Sequence, residues 1–292
     1  MRIKTIKESI VKRGISIHIG LNHVDKEHYG EGVMPLETCE QDAKDMQALA
    51  MGQNFKSTFL LLSENATRDM VKSLIRLASQ ELSSGDMLLL SYSGHGGFLP
   101  DRSGDELDDH LDETWCLYDG QLIDDELFEL WADFDQGVRI VMVSDSCHSG
   151  TVAKANQFKE IENNKIFQPK LLSYRVAKEV YYANKDFYTE VEASVDPIKI
   201  KQVKASIKLL AACADPQVSY TAPFARNSIF TERLLKVWSD GQFVGTYDEF
   251  LSSIREEVES LDFLPTKQTP MLYNVGTLRG DFDEEKPFQI YE

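Results

Sequence analysis

Short apolar runs alternate with amphipathic stretches along most of the chain. The runs are typical of buried strands, and they lie at residues 15–19, 59–62, 86–92, 138–143, 207–212 and 271–275. Helical periodicity occurs at residues 39–51, 66–82, 123–131, 228–238 and 247–261. The helix at 66–82 is predicted to bury Met70, Leu74, Leu77 and Ala78 on one face. This alternation predicts an α/β fold, a three-layer αβα sandwich whose mostly parallel central sheet carries helices on both faces.

Residues 151–204 depart from this pattern, because they are rich in Lys, Asn, Gln and Tyr and show no clear apolar period. We interpret them as a long insertion or excursion. No internal repeat or low-complexity tract divides the 292 residues, a length that suits one large domain or two small ones. The chain is therefore predicted to be a single domain over residues 1–292, with an insertion at about 151–204.

Charge and cysteine content narrow the function. The chain has 48 acidic and 31 basic residues and a net charge of −17, which disfavours nucleic acid and anionic membranes as partners. Its four cysteines lie far apart, which argues against a disulfide scaffold or a zinc knuckle. Residues 1–13 lack the apolar block of a secretory signal, and no segment approaches a membrane span. We therefore expect a cytoplasmic protein with reduced thiols.

Two polar motifs follow predicted strands: residues 93–97 (Ser-Gly-His-Gly-Gly) and residues 145–150 (Asp-Ser-Cys-His-Ser-Gly). Function in parallel sheets collects at the carboxyl ends of strands, so His95 and Cys147 are expected to meet there. A thiol at the start of a helix is favoured as thiolate, and a neighbouring imidazole can protonate a leaving amine. Cys147 is therefore the candidate nucleophile and His95 its acid–base partner.

Other interpretations of these motifs are weaker. His148 is adjacent to Cys147, and adjacent side chains usually point apart, so we predict that His148 supports the loop. Ser146 lacks the Gly-x-Ser-x-Gly context of a serine nucleophile. Cys147 as a buried structural thiol is disfavoured by its polar neighbours in the chain. The glycines beside His95 allow close backbone approach and leave N–H groups free for an oxyanion.

Together the two motifs resemble the metacaspase and orthocaspase branch of the caspase-like cysteine peptidases. His95 precedes Cys147 by about 50 residues, which is also the separation in caspases. The pentapeptide around the caspase nucleophile is absent, so the chain differs from animal caspases. Residues 151–204 match nothing in this family. Shorter matches extend over most of the remaining chain, at residues 20–22, 39–43, 105–106, 112–113, 122–126, 212–213 and 268–270.

The resemblance implies a Cys–His dyad, an oxyanion hole formed by the backbone N–H groups of Gly96 and Cys147, and cleavage after Arg or Lys. Asp145 lies two residues before the nucleophile, so alternation places both side chains on one side of the extended segment, where a carboxylate can pair with a basic side chain. The resemblance adds Asp42 and Ser93 to this pocket. We therefore expect a monomeric cysteine endopeptidase that acts on proteins or peptides at basic residues and requires no cofactor for its chemistry.

Residues 101–126 contain eleven acidic residues and one basic residue, Arg102. Clustered carboxylates are suitable ligands for calcium. The resemblance implies calcium as an activator, with Asp112, Asp124 and Asp125 as ligands. A fourth acidic ligand shortly after the nucleophile is absent, and the spacing is not that of an EF-hand loop. A solvated acidic surface is therefore the alternative interpretation.

Two other functions are alternatives to the peptidase. One is a catalytically silent caspase-like module that binds basic peptide segments. The other is a flavodoxin-like nucleotide or phosphate binder, but residues 20–23 (Gly-Leu-Asn-His) make a poor phosphate loop. A peptidase of this specificity could also process itself within residues 151–204, where the sequence does not select one bond. The candidate basic residues there include Lys154, Lys159, Lys165, Lys170, Arg175, Lys178 and Lys185.

Overall fold

A six-stranded sheet forms the centre of the fold in a computed structural model, which describes residues 12–100, 111–147, 166–222, 224–277 and 280–291. Its order is β11-β9-β7-β3-β1-β2, and all neighbours are parallel except β11 and β9. This confirms the predicted mostly parallel α/β sheet. The strands are β1 Gly14–Gly20, β2 Ser57–Leu62, β3 Met87–Ser93, β4 Gly96–Pro100, β5 Leu111–Leu117, β6 Gly120–Ile123, β7 Arg139–Asp145, β8 Gln168–Pro169, β9 Ser206–Ala211, β10 Tyr220–Thr221 and β11 Met271–Gly276.

Helices cover both faces of this sheet. The α-helices of the described residues are α1 Lys26–Tyr29, α2 Cys39–Gly52, α3 Arg68–Glu81, α4 Asp124–Trp131, α5 Tyr174–Ala183, α6 Lys185–Ser194, α7 Ile229–Trp238, α8 Tyr247–Glu259 and α9 Gly280–Asp283. On one face α3 and α4 pack on the sheet, and on the other face α2, α7 and α8 do. The three layers expected from the alternating pattern are therefore present.

Strand β3 shows how both faces of the central sheet are buried at once. Leu88 and Leu90 contribute to the core beneath α3 and α4, whereas Met87 and Leu89 contribute to the core beneath α2, α7 and α8. Successive side chains of a strand point to opposite faces, so a strand covered on both sides must be apolar at every position. All seven residues of β3 are buried.

The predicted apolar face of the helix at 66–82 is correct for Ala78 and Leu74, which pack on the core, and wrong for Met70 and Leu77. In α3 the side chains of Met70 and Leu77 are 47% and 39% exposed, whereas Val71, Ile75 and Ala78 are fully buried. The helix carries apolar side chains on more than one side, so periodicity alone did not select the face that meets the sheet.

Residues 166–204 contain more regular structure than the sequence indicated. Helix α5 buries Val176, Ala177, Val180 and Tyr181, an i, i+1, i+4, i+5 pattern that polar neighbours obscured. Strand β8 precedes α5 and pairs antiparallel with β10. A further antiparallel sheet, β4-β5-β6, also went unpredicted. Within the described ranges, no helix is both long and apolar enough to cross a membrane.

Candidate active site

The two polar motifs lie at neighbouring strand ends. Ser93, the last residue of β3, is the register partner of Asp145, the last residue of β7. His95 and Cys147 each follow two residues later. The two loops then approach so closely that a Cβ atom on Gly96 would lie 1.6 Å from the carbonyl oxygen of Cys147. Position 96 therefore accepts no side chain, and the sheet brings the two predicted dyad residues to one edge.

Cys147 is fully buried, although its polar neighbours indicated an exposed position. Its sulfur accepts a hydrogen bond from the backbone N–H of Ser219 at 3.0 Å and lies 3.6 Å from the carbonyl oxygen of Ser219. The thiol of Cys213 hydrogen-bonds to Cys147, and this contact together with burial raises the pKa of Cys213 well above its ordinary value. The helix start predicted after Cys147, like His148, falls outside the described residues.

His95 is buried, and one ring nitrogen is fixed. Its Nε2 lies 2.8 Å from the carbonyl oxygen of Met34, so Nε2 carries the hydrogen and donates. Its Nδ1 has no hydrogen-bond partner among the described residues and keeps its lone pair. Burial lowers the pKa of His95 to about 4, and the charge of Lys170 acts in the same direction. The imidazole is therefore neutral near pH 7, and it forms no hydrogen bond to the Cys147 sulfur in this state.

The three predicted pocket residues meet around the side chain of Lys170. Its ammonium lies 3.0 Å from Asp145 Oδ1 and 3.7 Å from Asp42 Oδ2, and it donates to Ser93 Oγ at 2.8 Å. Ser93 in turn donates to Asp42 at 2.6 Å. Asp42 comes from α2, Ser93 from β3 and Asp145 from β7, so three distant parts of the sequence converge on one cation.

The main chain of Lys170 also meets the predicted oxyanion donors. Its carbonyl oxygen accepts from the backbone N–H groups of Gly96 at 2.9 Å and Cys147 at 3.2 Å. Its own N–H donates to the carbonyl of Ser219 at 3.0 Å. Side chain and carbonyl of one residue therefore occupy both features that the sequence assigned to substrate binding.

A sequence profile described as Caspase domain matches residues 19–282. The chain belongs to the caspase-domain family. Metacaspase-1 of Saccharomyces cerevisiae strain YJM789 is 32% identical over 148 residues, covering 46% of this chain and 33% of that protein. Metacaspase-1 of Arabidopsis thaliana is 36% identical over 132 residues, covering 40% and 35%. The matches thus span about a third of these curated relatives.

A solved structure agrees over a longer range. The crystal structure of a protein from Geobacter sulfurreducens is 41% identical, with a TM-score of 0.83, and the match covers 96% of this chain and all of that one. The resemblance to caspase-like proteins with metacaspase relatives is thus confirmed. Membership of this family supports a cysteine peptidase.

The sequence missed several residues of this caspase-domain pocket. Ser228 stands at the N-cap position of α7, yet its hydroxyl donates to Asp42 at 2.5 Å and accepts from Lys170 at 3.0 Å. Thr231, in the first turn of α7, donates to Asp145 through its N–H at 3.1 Å and its hydroxyl at 2.7 Å. Polar residues at the N-cap and in the first turn of a helix were the available signal, but they are typical of ordinary caps.

One ammonium and two carboxylates influence one another's pKa in the pocket. Burial raises the pKa of Asp42, Lys170 opposes this rise, and the nearby Asp145 adds to it. Burial also opposes the charge on Lys170, yet Asp145, with smaller contributions from Cys39 and Asp42, raises the pKa of Lys170 above its ordinary value. The ammonium is therefore charged near pH 7. Two carboxylates make a pocket for one cation.

A cavity of about 760 Å³ runs beside the site. Its walls include Met34, His95, Leu171 and Ser173. His95 and Leu171, the residue after Lys170, thus line the same cavity.

The predicted calcium ligands do not gather into a site within the described residues. Asp112 lies on β5, and Asp124 and Asp125 begin α4. No group of three or more acidic, His or Cys side chains in the described ranges is arranged to hold a metal. Residues 101–110 of the acidic stretch lie outside those ranges. A calcium site in this stretch would therefore need residues beyond the described ranges. Three of the basic residues named for self-processing, Lys154, Lys159 and Lys165, also lie outside them.

Proposed function

We propose that this caspase domain is a cysteine endopeptidase that cleaves after Arg or Lys through the dyad of Cys147 and His95. The observation that carries the proposal is the binding of Lys170, whose ammonium lies between Asp145 and Asp42 while its carbonyl oxygen accepts from Gly96 and Cys147. A basic residue held in this way presents its carbonyl carbon beside a thiol.

The reaction follows from these positions. His95 takes the proton of the Cys147 thiol at Nδ1, the nitrogen that has a free lone pair. The sulfur attacks the carbonyl carbon of the basic residue, and the two backbone N–H groups stabilise the resulting oxyanion. His95 then protonates the leaving amine, and water hydrolyses the thioester. The dyad needs no third residue and no cofactor for these steps.

Charge complementarity supports the specificity. An arginine or lysine side chain can replace the ammonium of Lys170 beside Asp145, whereas an aspartate would meet two carboxylates. Juxtaposed like charges cost several kcal/mol, so we expect basic peptides to be preferred over Asp peptides by at least about 100-fold.

The test uses fluorogenic peptides that end in Arg, Lys or Asp. We expect hydrolysis of the Arg and Lys peptides, and a loss of at least about 10⁴-fold in Cys147→Ala and His95→Ala, because residues of a catalytic unit cannot replace one another. Cys116→Ala, which removes another buried thiol, is the matched control and keeps activity. Unchanged activity in Cys147→Ala would refute the proposal.

Calcium activation, self-processing, a monomeric state and a cytoplasmic location are also part of this proposal. The same assay with added calcium or a chelator tests the first, through a change in the rate on Arg peptides. Sedimentation of the purified chain tests the monomeric state.

A second candidate function is a silent module that binds basic segments. The absence of a hydrogen bond between the His95 ring and the Cys147 sulfur favours it, since the dyad is not assembled in this state. A covalent thiol probe distinguishes the two candidates. An enzyme is labelled at Cys147 when the pocket is open, whereas a silent module binds basic peptides and leaves that thiol unlabelled.

A further inference from the structure

We propose that the active site recognises an aromatic side chain three residues before the basic residue of its substrate. The site of recognition is an aromatic subsite formed by Tyr220 and Phe263. This inference rests on the proposed peptidase function and deepens it, because it names the substrate class: peptides that carry an aromatic residue at that position and Lys or Arg at the cut. It requires no cut within the chain itself.

The first argument is the path of the backbone beside the nucleophile. Gln168–Pro169 pairs antiparallel with Tyr220–Thr221, and the N–H of Lys170 donates to the carbonyl of Ser219 at 3.0 Å. Peptides commonly bind as a strand added along such an edge. A substrate that follows this edge with its basic residue in the place of Lys170 therefore carries its third preceding residue about 10 Å further along, in the place of Phe167.

The second argument is the contact geometry of Phe167. Its ring stacks on Phe263 with centroids 5.7 Å apart and an interplanar angle of 14°, and it meets Tyr220 edge to face at 6.4 Å and 75°. Stacked and edge-to-face arrangements at such distances are the ones that aromatic rings prefer. Tyr220 is the register partner of Pro169, and Phe167, two residues before Pro169, is its diagonal neighbour on the same face. The register that places the basic residue thus also brings this ring to the subsite.

The third argument is that other contacts hold the two walls of the aromatic subsite. Tyr220 is fully buried, and its hydroxyl is hydrogen-bonded to Thr266 Oγ1 at 2.7 Å. Phe263 is 54% exposed, but Leu261 and Leu264 on either side of it pack on the core. The subsite therefore has one fixed wall and one wall open to solvent, which a ring from outside can enter. A site held in place by its own contacts loses less free energy when it binds a ligand.

The aromatic subsite selects by chemistry as well as by size. The face of an aromatic ring carries partial negative charge, so a carboxylate at this position is disfavoured, and the net charge of −17 adds to this effect. An aliphatic side chain of the same size fills the space but gains no ring pairing. An alanine leaves the wall formed by Phe263 uncovered. The expected order is therefore aromatic, aliphatic of equal size, alanine and aspartate, from the best substrate to the worst.

The experiment measures kcat/KM on four peptides, acetyl-X-Gln-Pro-Lys coupled to a fluorophore, in which X is Phe, cyclohexylalanine, Ala or Asp. We expect the Phe peptide to exceed the Ala peptide by about 10- to 100-fold. It should exceed the cyclohexylalanine peptide by about two- to tenfold, the share that belongs to ring pairing. All ratios are taken within one chain. Residues 167–170 of that chain compete equally with every peptide, so their affinity for the site cancels in the ratio.

Variants at the open wall give the second readout. Phe263→Ala should reduce the ratio of the Phe to the Ala peptide to about threefold or less, because only Tyr220 remains, whereas Phe263→Tyr should keep the ratio of the parent. A merely structural role of Phe263 would change both rates by one factor and leave their ratio unchanged. Tyr182→Ala, which removes an exposed aromatic side chain of α5, is the matched control and should keep the ratio. If Phe263→Ala fails to fold, as judged by circular dichroism, the outcome is decided by Phe263→Leu, in which Phe should lose its advantage over cyclohexylalanine.

The outcomes separate the two proposals. Equal kcat/KM of the parent on the Phe and Ala peptides, or on the Phe and cyclohexylalanine peptides, overturns the inference and leaves the peptidase function standing. A ratio that Phe263→Ala leaves unchanged does the same. If folded parent and Lys170→Ala hydrolyse neither these peptides nor their Arg counterparts, the proposed function fails. The inference is then decided by the affinity of fluorescein-labelled peptides for Cys147→Ala, measured by anisotropy: binding of the Phe peptide at least about tenfold tighter than the Ala peptide supports it, and equal affinity overturns it.

Discussion

The pocket around Lys170 and the acidic stretch of residues 101–126 are both rich in carboxylates. Among the described residues, only the pocket brings two of these carboxylates to one cation. In the pocket, Asp42 and Asp145 are more than 100 residues apart in sequence and lie within 3.7 Å of one ammonium. In the acidic stretch, Asp112, Asp124 and Asp125 are close in sequence but form no described metal site.

In the pocket, the sheet rather than proximity in sequence brings the carboxylates together. Strand register sets Ser93 beside Asp145, and α2 crosses the same edge with Asp42. In the acidic stretch, by contrast, Glu126 is turned inward as a structural group. It accepts from Arg68 at 2.8 Å and Lys72 at 2.5 Å. Carboxylates that are dense in sequence can thus serve folding rather than binding.

The largest effect is expected in the pocket. Asp145→Asn removes the charge that lies 3.0 Å from the bound ammonium, and loss of a buried charge partner costs about 2–5 kcal/mol. Steady-state kinetics on Lys peptides should show kcat/KM lower by roughly 10²- to 10³-fold. Asp42→Asn should have a smaller effect, because its oxygen lies 3.7 Å from the ammonium.

Asp45→Asn is the matched control on α2, since Asp45 pairs with the exposed Arg226. Its kcat/KM should stay within about twofold of the parent, as expected for an exposed ion pair. An equal loss in Asp45→Asn and Asp145→Asn would mean that the pocket has no special role.

A large effect on stability, without a role in binding, is expected at Glu126. Glu126→Ala leaves buried Arg68 without its carboxylate, and such a change lowers the free energy of unfolding by about 3–5 kcal/mol. Urea unfolding measures this change. Glu129→Ala on the same helix removes a longer, partly exposed contact to Lys199 and should cost less than about 1 kcal/mol. Similar midpoints for the two variants would contradict the structural role of Glu126.

The neutral state of His95 predicts a pH effect on stability. Its pKa is lowered to about 4 in the folded chain, so between pH 6.5 and about 4 the unfolded chain binds more protons and the folded state loses stability as pH falls. The loss attributable to this residue approaches roughly 3 kcal/mol. His18, whose pKa burial lowers to about 3, acts in the same direction.

Urea unfolding of the parent and His95→Gln between pH 7 and 4.5 isolates this residue, because all other titrating groups are shared. The parent should lose more stability on acidification than His95→Gln does. Parallel pH profiles would show that His95 is protonated as easily in the folded chain as in the unfolded one.

The smallest effect is expected from the acidic stretch. The double change Asp124→Asn and Asp125→Asn should leave the KM for a basic peptide within about threefold, since exposed or distant charges alter binding little. It should also remove any response of the parent to calcium. A large rise in KM without calcium would mean that this stretch contributes to the pocket around Lys170.

The sequence predicted the sheet, its helices and the two loops that carry His95 and Cys147, because buried parallel strands have a strong apolar signature. It also placed Asp42, Ser93 and Asp145 in one pocket, through the family resemblance and the alternation along β7. It could not place Lys170, since that contact depends on how residues 166–172 cross the surface, and nothing local specifies such a path. Ser228 was missed because it resembles an ordinary helix cap.

The paired carboxylates of the pocket have a consequence for solution work. In Lys170→Ala, Asp42 and Asp145 would lack their counter-ion, and a small planar cation could bind between them. Guanidinium is such a cation, so at low concentration it should bind before it denatures, whereas uncharged urea has no such affinity. Denaturation by the two agents should therefore report different stabilities for Lys170→Ala, because urea does not bind in this pocket.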